Sequence, residues 1–183
     1  RTYAAVMGGC RLDNKRVIEL WRRYMTTRCT VVNKAMVMSA LYACRGEGHG
    51  REALNIMNEV VSRMKRIKGG STDLPDLPMY NLVLLGLKDD AQATSQHVGR
   101  VLESMRARSL EPSVEIVQTA MSVFEAKADW RQATILLLQM LKKSPELVST
   151  QATLSALKAR ITADQTAMVI QLIDQMPPLQ NLL

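Results

Sequence analysis

Met105-Arg106-Ala107-Arg108-Ser109-Leu110-Glu111-Pro112-Ser113 closes one stretch of this chain, and Thr72-Asp73-Leu74-Pro75-Asp76 closes another in a looser version of the same form. A fresh helical start follows each: Val114-Glu115-Ile116-Val117-Gln118 after the first, Leu77-Pro78-Met79-Tyr80-Asn81 after the second. The two prolines are 37 residues apart. A period of this size marks a helical repeat array, and an array favours an extended binding surface over a catalytic pocket.

Apolar residues recur at helical spacing along the rest of the chain. Tyr3, Val6, Met7 and Cys10 form one stripe ending at Arg11, and Asp13-Asn14 is a turn and cap signal before Val17, Leu20, Trp21, Tyr24 and Met25. Helices are expected over Val31–Cys44 and along the stripe Ala53–Met64. Others are expected over Tyr80–Lys88, Ala93–Arg108, Val114–Lys127, Trp130–Lys143, Val148–Arg160 and Asp164–Met176, with Pro177-Pro178 ending the last. Lys68-Gly69-Gly70-Ser71-Thr72-Asp73 reads as a loop inserted between repeats. The second helix of each pair closes on an apolar residue: Met25, Val61, Met105, Met140 and Met176. These are spaced by 36, 44, 35 and 36 residues, the long interval holding the inserted loop. The expectation is an all-α chain, an α-solenoid of about five antiparallel helix pairs forming a single domain over 1–183. The approximate repeats are 1–30, 31–76 (with the insertion at about 65–76), 77–113, 114–148 and 149–183.

Bulk properties agree with helix-on-helix packing. Apolar residues make up 47% of 183 residues, enough to bury a core, while aromatics are only 4% and Met numbers 12. Small residues let helices approach and Met fills gaps; the scarcity of β-branched and aromatic runs argues against a sheet. The net charge of +7 is uneven. Residues 1–70 carry 14 Lys+Arg against 5 Asp+Glu, whereas residues 71–183 carry 10 against 12. An anionic partner would be drawn to the N-terminal third, although the same excess also serves as a plain solvated surface. Cys10, Cys29 and Cys44 form no Cys-x-x-Cys motif and are expected to be reduced. Ile135-Leu136-Leu137-Leu138, the longest aliphatic run, is too short to span a bilayer. The sequence opens on Arg1-Thr2-Tyr3 rather than Met, and is read as a piece of a longer protein.

The run Met79-Tyr80-Asn81-Leu82-Val83-Leu84-Leu85-Gly86-Leu87, closed by Leu102-Glu103-Ser104-Met105 and Glu111-Pro112-Ser113, resembles the pentatricopeptide repeat family. That family shows a Thr-Tyr-Asn start, a Leu-Phe-x-x-Met second helix and a closing Pro-Asp, Pro-Asn or Pro-Ser. Two further runs match in phase. One is Ala126-Lys127-Ala128-Asp129-Trp130-Arg131-Gln132-Ala133 with Leu136-Leu137-Leu138-Gln139-Met140. The other is Ser39-Ala40-Leu41-Tyr42-Ala43-Cys44 with Arg51-Glu52-Ala53-Leu54-Asn55-Ile56-Met57. The competing tetratricopeptide pattern of Trp, Leu-Gly and Tyr is absent.

The resemblance implies a protein of mitochondria, or alternatively plastids, that binds single-stranded RNA at one base per repeat. Its reading positions are the residue after the first-helix Tyr and the last residue of the repeat. Carried over, they pair Ala4 with Thr30, Ala35 with Asp76, Asn81 with Ser113, and Gln118 with Val148. Asn81 and Ser113 offer donors and acceptors, but both residue types also cap helices and shape turns. Ala4, Ala35 and Val148 carry no hydrogen-bonding group, and one complete pair in four cannot specify a site when each base is worth about 1–3 kcal/mol. Independently of the family, each first helix ends near a cation: Arg11, Arg45, Lys88, Lys127 and Lys158. A stacked array would turn these into a ladder suited to phosphates, though cations also complement helix C-termini.

No enzyme is expected. His49 lies among turn glycines and His97 on a helix, neither with partners at ligand spacing, so no metal, cofactor or small-molecule substrate is implied. Asp89-Asp90 are expected to cap the helix that follows them. The function expected is that of a structural component of a ribonucleoprotein such as the mitochondrial ribosome, meeting RNA and other proteins of a large complex. The alternatives are a free sequence-selective RNA-binding factor in organellar RNA processing, stability or translation, or a protein-only scaffold.

Overall fold

The computed structural model describes Met7, residues 13–26, 32–66 and 74–143, and Lys158. The expected helix around Tyr3–Arg11, the Lys68–Asp73 loop and the two helices after Val148 lie outside these residues, apart from a buried Met7 and an exposed Lys158. Among the described residues there are seven α-helices and no strand: α1 (Asn14–Thr26), α2 (Lys34–Gly46), α3 (Gly50–Arg66), α4 (Leu77–Asp89), α5 (Ser95–Arg106), α6 (Val114–Ala126) and α7 (Trp130–Lys143). They fall into two compact units, Arg1–Pro112 and Ser113–Leu183.

Local chemistry sets the ends of these helices. In five of the seven helices a side-chain oxygen satisfies one of the first free amides. Arg16 N–H donates to Asp13 Oδ1 (3.0 Å), Ala35 N–H to Asn33 Oδ1 (2.8 Å) and Met79 N–H to Asp76 Oδ1 (3.2 Å). Ile116 N–H donates to Ser113 Oγ (3.4 Å) and Gln132 N–H to Asp129 Oδ1 (3.1 Å). At α5, Thr94 is the cap and its backbone N–H donates to His97 Nδ1 (3.0 Å), one arm of a capping box. That gives His97 a structural task.

Three helices stop in one way. The residue after the last turn swings into the left-handed region, with φ of 65° at Gly48, 56° at Ser109 and 51° at Ala128. The next amide then reaches back to the helix: His49 N–H to Cys44 O (2.8 Å), Leu110 N–H to Met105 O (3.0 Å) and Asp129 N–H to Phe124 O (3.0 Å). This is the Schellman closure.

In the first unit, α2 packs against α1, α3 and α4, while α3 also packs against α4 and α5, and α4 against α5. The sequence of α4 explains its place. Leu77-Pro78-Met79-Tyr80-Asn81-Leu82-Val83-Leu84-Leu85-Gly86-Leu87 is apolar nearly all round, which suits a helix covered on several sides. Met79, Tyr80, Val83, Leu84 and Leu87 are buried, and the Tyr80 hydroxyl lies 3.0 Å from Ser104 Oγ on α5. By contrast α1 and α3 are amphipathic, with one buried stripe each: Val17, Ile18, Trp21 and Tyr24 on α1, and Ala53, Ile56, Met57 and Val60 on α3. Truncating any of these large buried side chains to Ala removes about 2–5 kcal/mol.

The contact between α3 and α4 is a backbone one. A Cβ built on Gly50 would sit 2.4 Å from Leu87 N and 2.5 Å from Gly86 C and O, so only glycine allows α3 to start there. Asp90, just past α4, is 6% exposed and caps that same start: Arg51 N–H donates to its Oδ2 (3.1 Å), with Arg51 Nε at 3.3 Å. The expectation that Asp89-Asp90 cap the following helix is corrected here. Asp89 ends α4, Thr94 caps α5, and Asp90 caps the preceding α3 because the loop folds back onto it. In the second unit, α6 packs on α7 around Ile116, Val117, Ala120, Phe124, Ala133, Leu137 and Met140.

Candidate nucleic-acid interface

The caps fix a register between first helices. Asn33 precedes α2 as Asp76 precedes α4 and Ser113 precedes α6. Counting from these caps, Met38 stands where α4 has Asn81 and α6 has Gln118. Ala35 therefore does not occupy the position equivalent to Asn81. The sequence alone starts α2 at Val31, whereas the Asn33 cap starts it at Lys34.

Helices α2 and α4 lie side by side and parallel. Lys34 Nζ and Asp76 Oδ2 (2.5 Å) join their N-terminal ends. At the other end a Cβ built on Gly86 would sit 3.9 Å from Arg45 Cα. Both helices pack on α3, and each carries in register one row of side chains whose two ends are exposed. On α2 this row is Ala35, Met38, Tyr42 and Arg45, and in register on α4 it is Pro78, Asn81, Leu85 and Lys88. Tyr42 is 54% exposed, and Met38 and Leu85 are half-buried. Arg45 and Lys88 are exposed in the last turns of their helices, and no carboxylate lies within ion-pair distance of either among the described residues. Glu47 and Asp89 are exposed at the same rim.

The other residues singled out in the sequence fare differently. Asn81 is only 8% exposed, which leaves its amide little room to meet a base. Asp76 and Ser113 are half-buried and committed to capping, Asp76 to an ion pair as well. Gln118 is half-buried on α6. Lys127 is half-buried as the C-cap of α6, its N–H donating to Val123 O (3.0 Å). Lys158 Nζ lies 3.7 Å from Glu125 Oε1, a surface pair at 60% exposure for the lysine. Arg11, Ala4, Thr30 and Val148 lie outside the described residues. Of the cation ladder, then, Arg45 and Lys88 share one end of one face.

Cys44 is buried on α2, and its thiol is pushed up to about 12 by burial first and by Glu52 second, against a smaller opposing pull from Arg22. At neutral pH it is a protonated, closed side chain. Between α1 and α3 a groove is lined by Trp21, Arg22, Glu52, Asn55, Asn58 and Glu59. Its carboxylates are engaged, Glu52 by Arg22 Nε (3.0 Å) and Glu59 by the Trp21 indole N–H (3.4 Å). Among the described residues no cluster of His, Cys, Asp and Glu is placed to hold a metal ion, and no helix is long and apolar enough to cross a membrane.

Sequence reasoning passed over Tyr42. It stands among the buried Leu41, Ala43 and Cys44, and only the helical period, counted from Asn33, turns it outward. No protein-family model matches the chain, and no curated protein is significantly similar to it.

Proposed function

We propose that this chain is an α-solenoid of pentatricopeptide-like helix pairs that associates with RNA as a structural component of a ribonucleoprotein, in mitochondria or alternatively plastids. The observation that carries the reading is the register of α2 and α4. They are parallel neighbours, capped at equivalent residues and backed by the intervening α3, the relation expected between first helices of successive repeats. The basic excess of residues 1–70 supports an anionic partner. The buried Asn81 and the cap duties of Asp76 and Ser113 favour an architectural role over base-by-base reading.

The test is an in-cell RNA crosslink map combined with gradient sedimentation of the tagged full-length protein. Crosslinks to a ribosomal or other stable RNA, with migration in heavy fractions, are expected. A protein found only in light fractions with no RNA crosslink overturns the reading in favour of a protein-only scaffold. Crosslinks to one short sequence without heavy migration point to a free RNA-binding factor.

A further inference from the structure

We infer that the outward row of α7, Arg131, Ile135, Leu138 and Lys142, docks an amphipathic helix of a partner protein whose apolar stripe is bracketed by carboxylates. This surface stands whether or not the chain meets RNA. Four helices in one register carry it. Counted from their first residues, α1, α3, α5 and α7 bury the fourth, eighth and eleventh side chains and expose the sixth and ninth. The exposed pair is Glu19 and Arg22 on α1, Asn55 and Asn58 on α3, and Arg100 and Glu103 on α5. On α7 it is Ile135 and Leu138, 48% and 42% exposed. Two aliphatic side chains one turn apart, where three equivalent helices keep polar ones, form an apolar patch of the kind that marks a contact site.

Charge decides what covers it. Arg131 lies one turn before Ile135 and Lys142 one turn after Leu138, so the four residues make a single row about 16 Å long. Both cations are exposed, and no carboxylate lies within ion-pair distance of either among the described residues. The Arg131 guanidinium lies 5.4 Å from the Trp130 ring centroid, a contact that orients its charge without cancelling it. A second copy of the row is disfavoured by sign. Parallel or antiparallel, it sets cation against cation at both ends. A nucleic acid meets the cations, but the aliphatic pair offers its bases no ring to stack on. A helix with apolar residues three or four apart, and Asp or Glu about eleven apart on the same face, satisfies both parts of the row. Its carboxylates steer the encounter and set the register, while the apolar contact holds the complex.

The test puts a photo-crosslinking amino acid in place of Gln139, exposed beside the row, in the tagged full-length protein in cells. Mass spectrometry then sequences the attached peptide. A segment of another protein with that apolar and acidic pattern is expected. An adduct with RNA, with a second copy, with this chain's own other segments or with a segment lacking the pattern overturns the assignment, as does the absence of any adduct. The captured segment is next titrated, as a synthetic peptide, against whole-chain variants. Ile135→Asn with Leu138→Asn, which gives α7 the pair found on α3, should weaken binding about 10- to 100-fold. Arg131→Glu with Lys142→Glu should weaken it about 10-fold, and a peptide with its carboxylates exchanged for lysines should recover the affinity. All four side chains are exposed, so an unchanged denaturation midpoint verifies that the variants are folded. Equal binding by the Asn pair, or no recovery on charge exchange, overturns the assignment.

Discussion

The pairs α2–α3 and α6–α7 are built around the same turn and use it differently. In both, three successive amides after the first helix return to its last carbonyls: Glu47 to Ala43, Gly48 to Arg45 and His49 to Cys44 in one, Lys127 to Val123, Ala128 to Glu125 and Asp129 to Phe124 in the other. Backbone hydrogen bonding therefore dictates the shape. The side chains are set by what lies against the turn. The first pair has Gly48 in the left-handed conformation and Gly50 pressed on the α4 backbone; the second has Ala128 and Trp130 at those places, with the Arg131 guanidinium 5.4 Å from the Trp130 ring centroid. The outward rows differ as well. Where α2 shows Ala35, Met38, Tyr42 and Arg45, α6 shows Glu115, Gln118, Ser122 and Glu125 in cap register. One scaffold carries an aromatic and basic face in the first case and a polar, acidic one in the second.

The sharpest way to break this comparison is at Gly50. Gly50→Ala is expected to cost about 1–3 kcal/mol by forcing α3 off α4. Gly99→Ala on α5, where an added Cβ meets nothing within 4 Å, should instead stabilise by roughly 0.5–1 kcal/mol. Urea denaturation of both variants checks the pair of signs, and equal effects would show that the close approach is not what Gly50 serves.

Asp90 comes next, because it serves α3 in the first unit through a loop longer than the turn of α6–α7. Burial alone would raise its carboxyl, but the backbone amides of Arg51 and Gln92 and the Arg51 guanidinium outweigh burial and hold it below the ordinary carboxylate range. A carboxylate depressed in the folded state contributes stability in full above its unfolded pKa of about 3.9 and loses it as pH falls through the lower folded value. Asp90→Ala should cost about 0.5–2 kcal/mol at pH 7. Asp90→Asn should flatten the acid limb of a stability–pH profile. A profile with the same acid limb as the parent chain would remove Asp90 from this account.

Smallest are the left-handed residues. Gly48→Ala and Ala128→Gly exchange the two turns' residues, and opposite shifts of about 1 kcal/mol are expected, destabilising in the first and stabilising in the second. Ser109→Gly should follow Ala128→Gly. Thermal denaturation resolves shifts of this size.

How far the sequence could be read depended on the range of the interaction. The Trp130 and Lys143 limits of α7, and the cap at Asp13, are short-range features, and the residues announce them. The sequence pattern starts α5 at Ala93, two residues before its true start at Ser95, because His97 does not announce a capping box as Glu or Gln would. Asp90 caps a helix 39 residues earlier in the chain, and nothing near it in sequence says so. Gly50 reads as one more turn glycine until Gly86 is found against it. The candidate face follows the same rule. Arg45 and Lys88 were visible as helix-end cations, but Tyr42 could be assigned to solvent only after Asn33 fixed the rotation of α2, and the same register put Met38 rather than Ala35 in line with Asn81.

The Asp90 cap also bears on the order in which the chain matures during synthesis. The amide of Arg51 leaves the ribosome long before the carboxylate that terminates it, so α3 emerges with a raw end and is finished by the pair that follows. Maturation of α3 then runs backwards by one step, completed by the pair that follows it. A nascent chain stopped at residue 85 should leave α3 open to limited proteolysis near Gly50, and one stopped at residue 93 should protect it. Equal cleavage of the two would show that the first unit assembles without waiting for its cap.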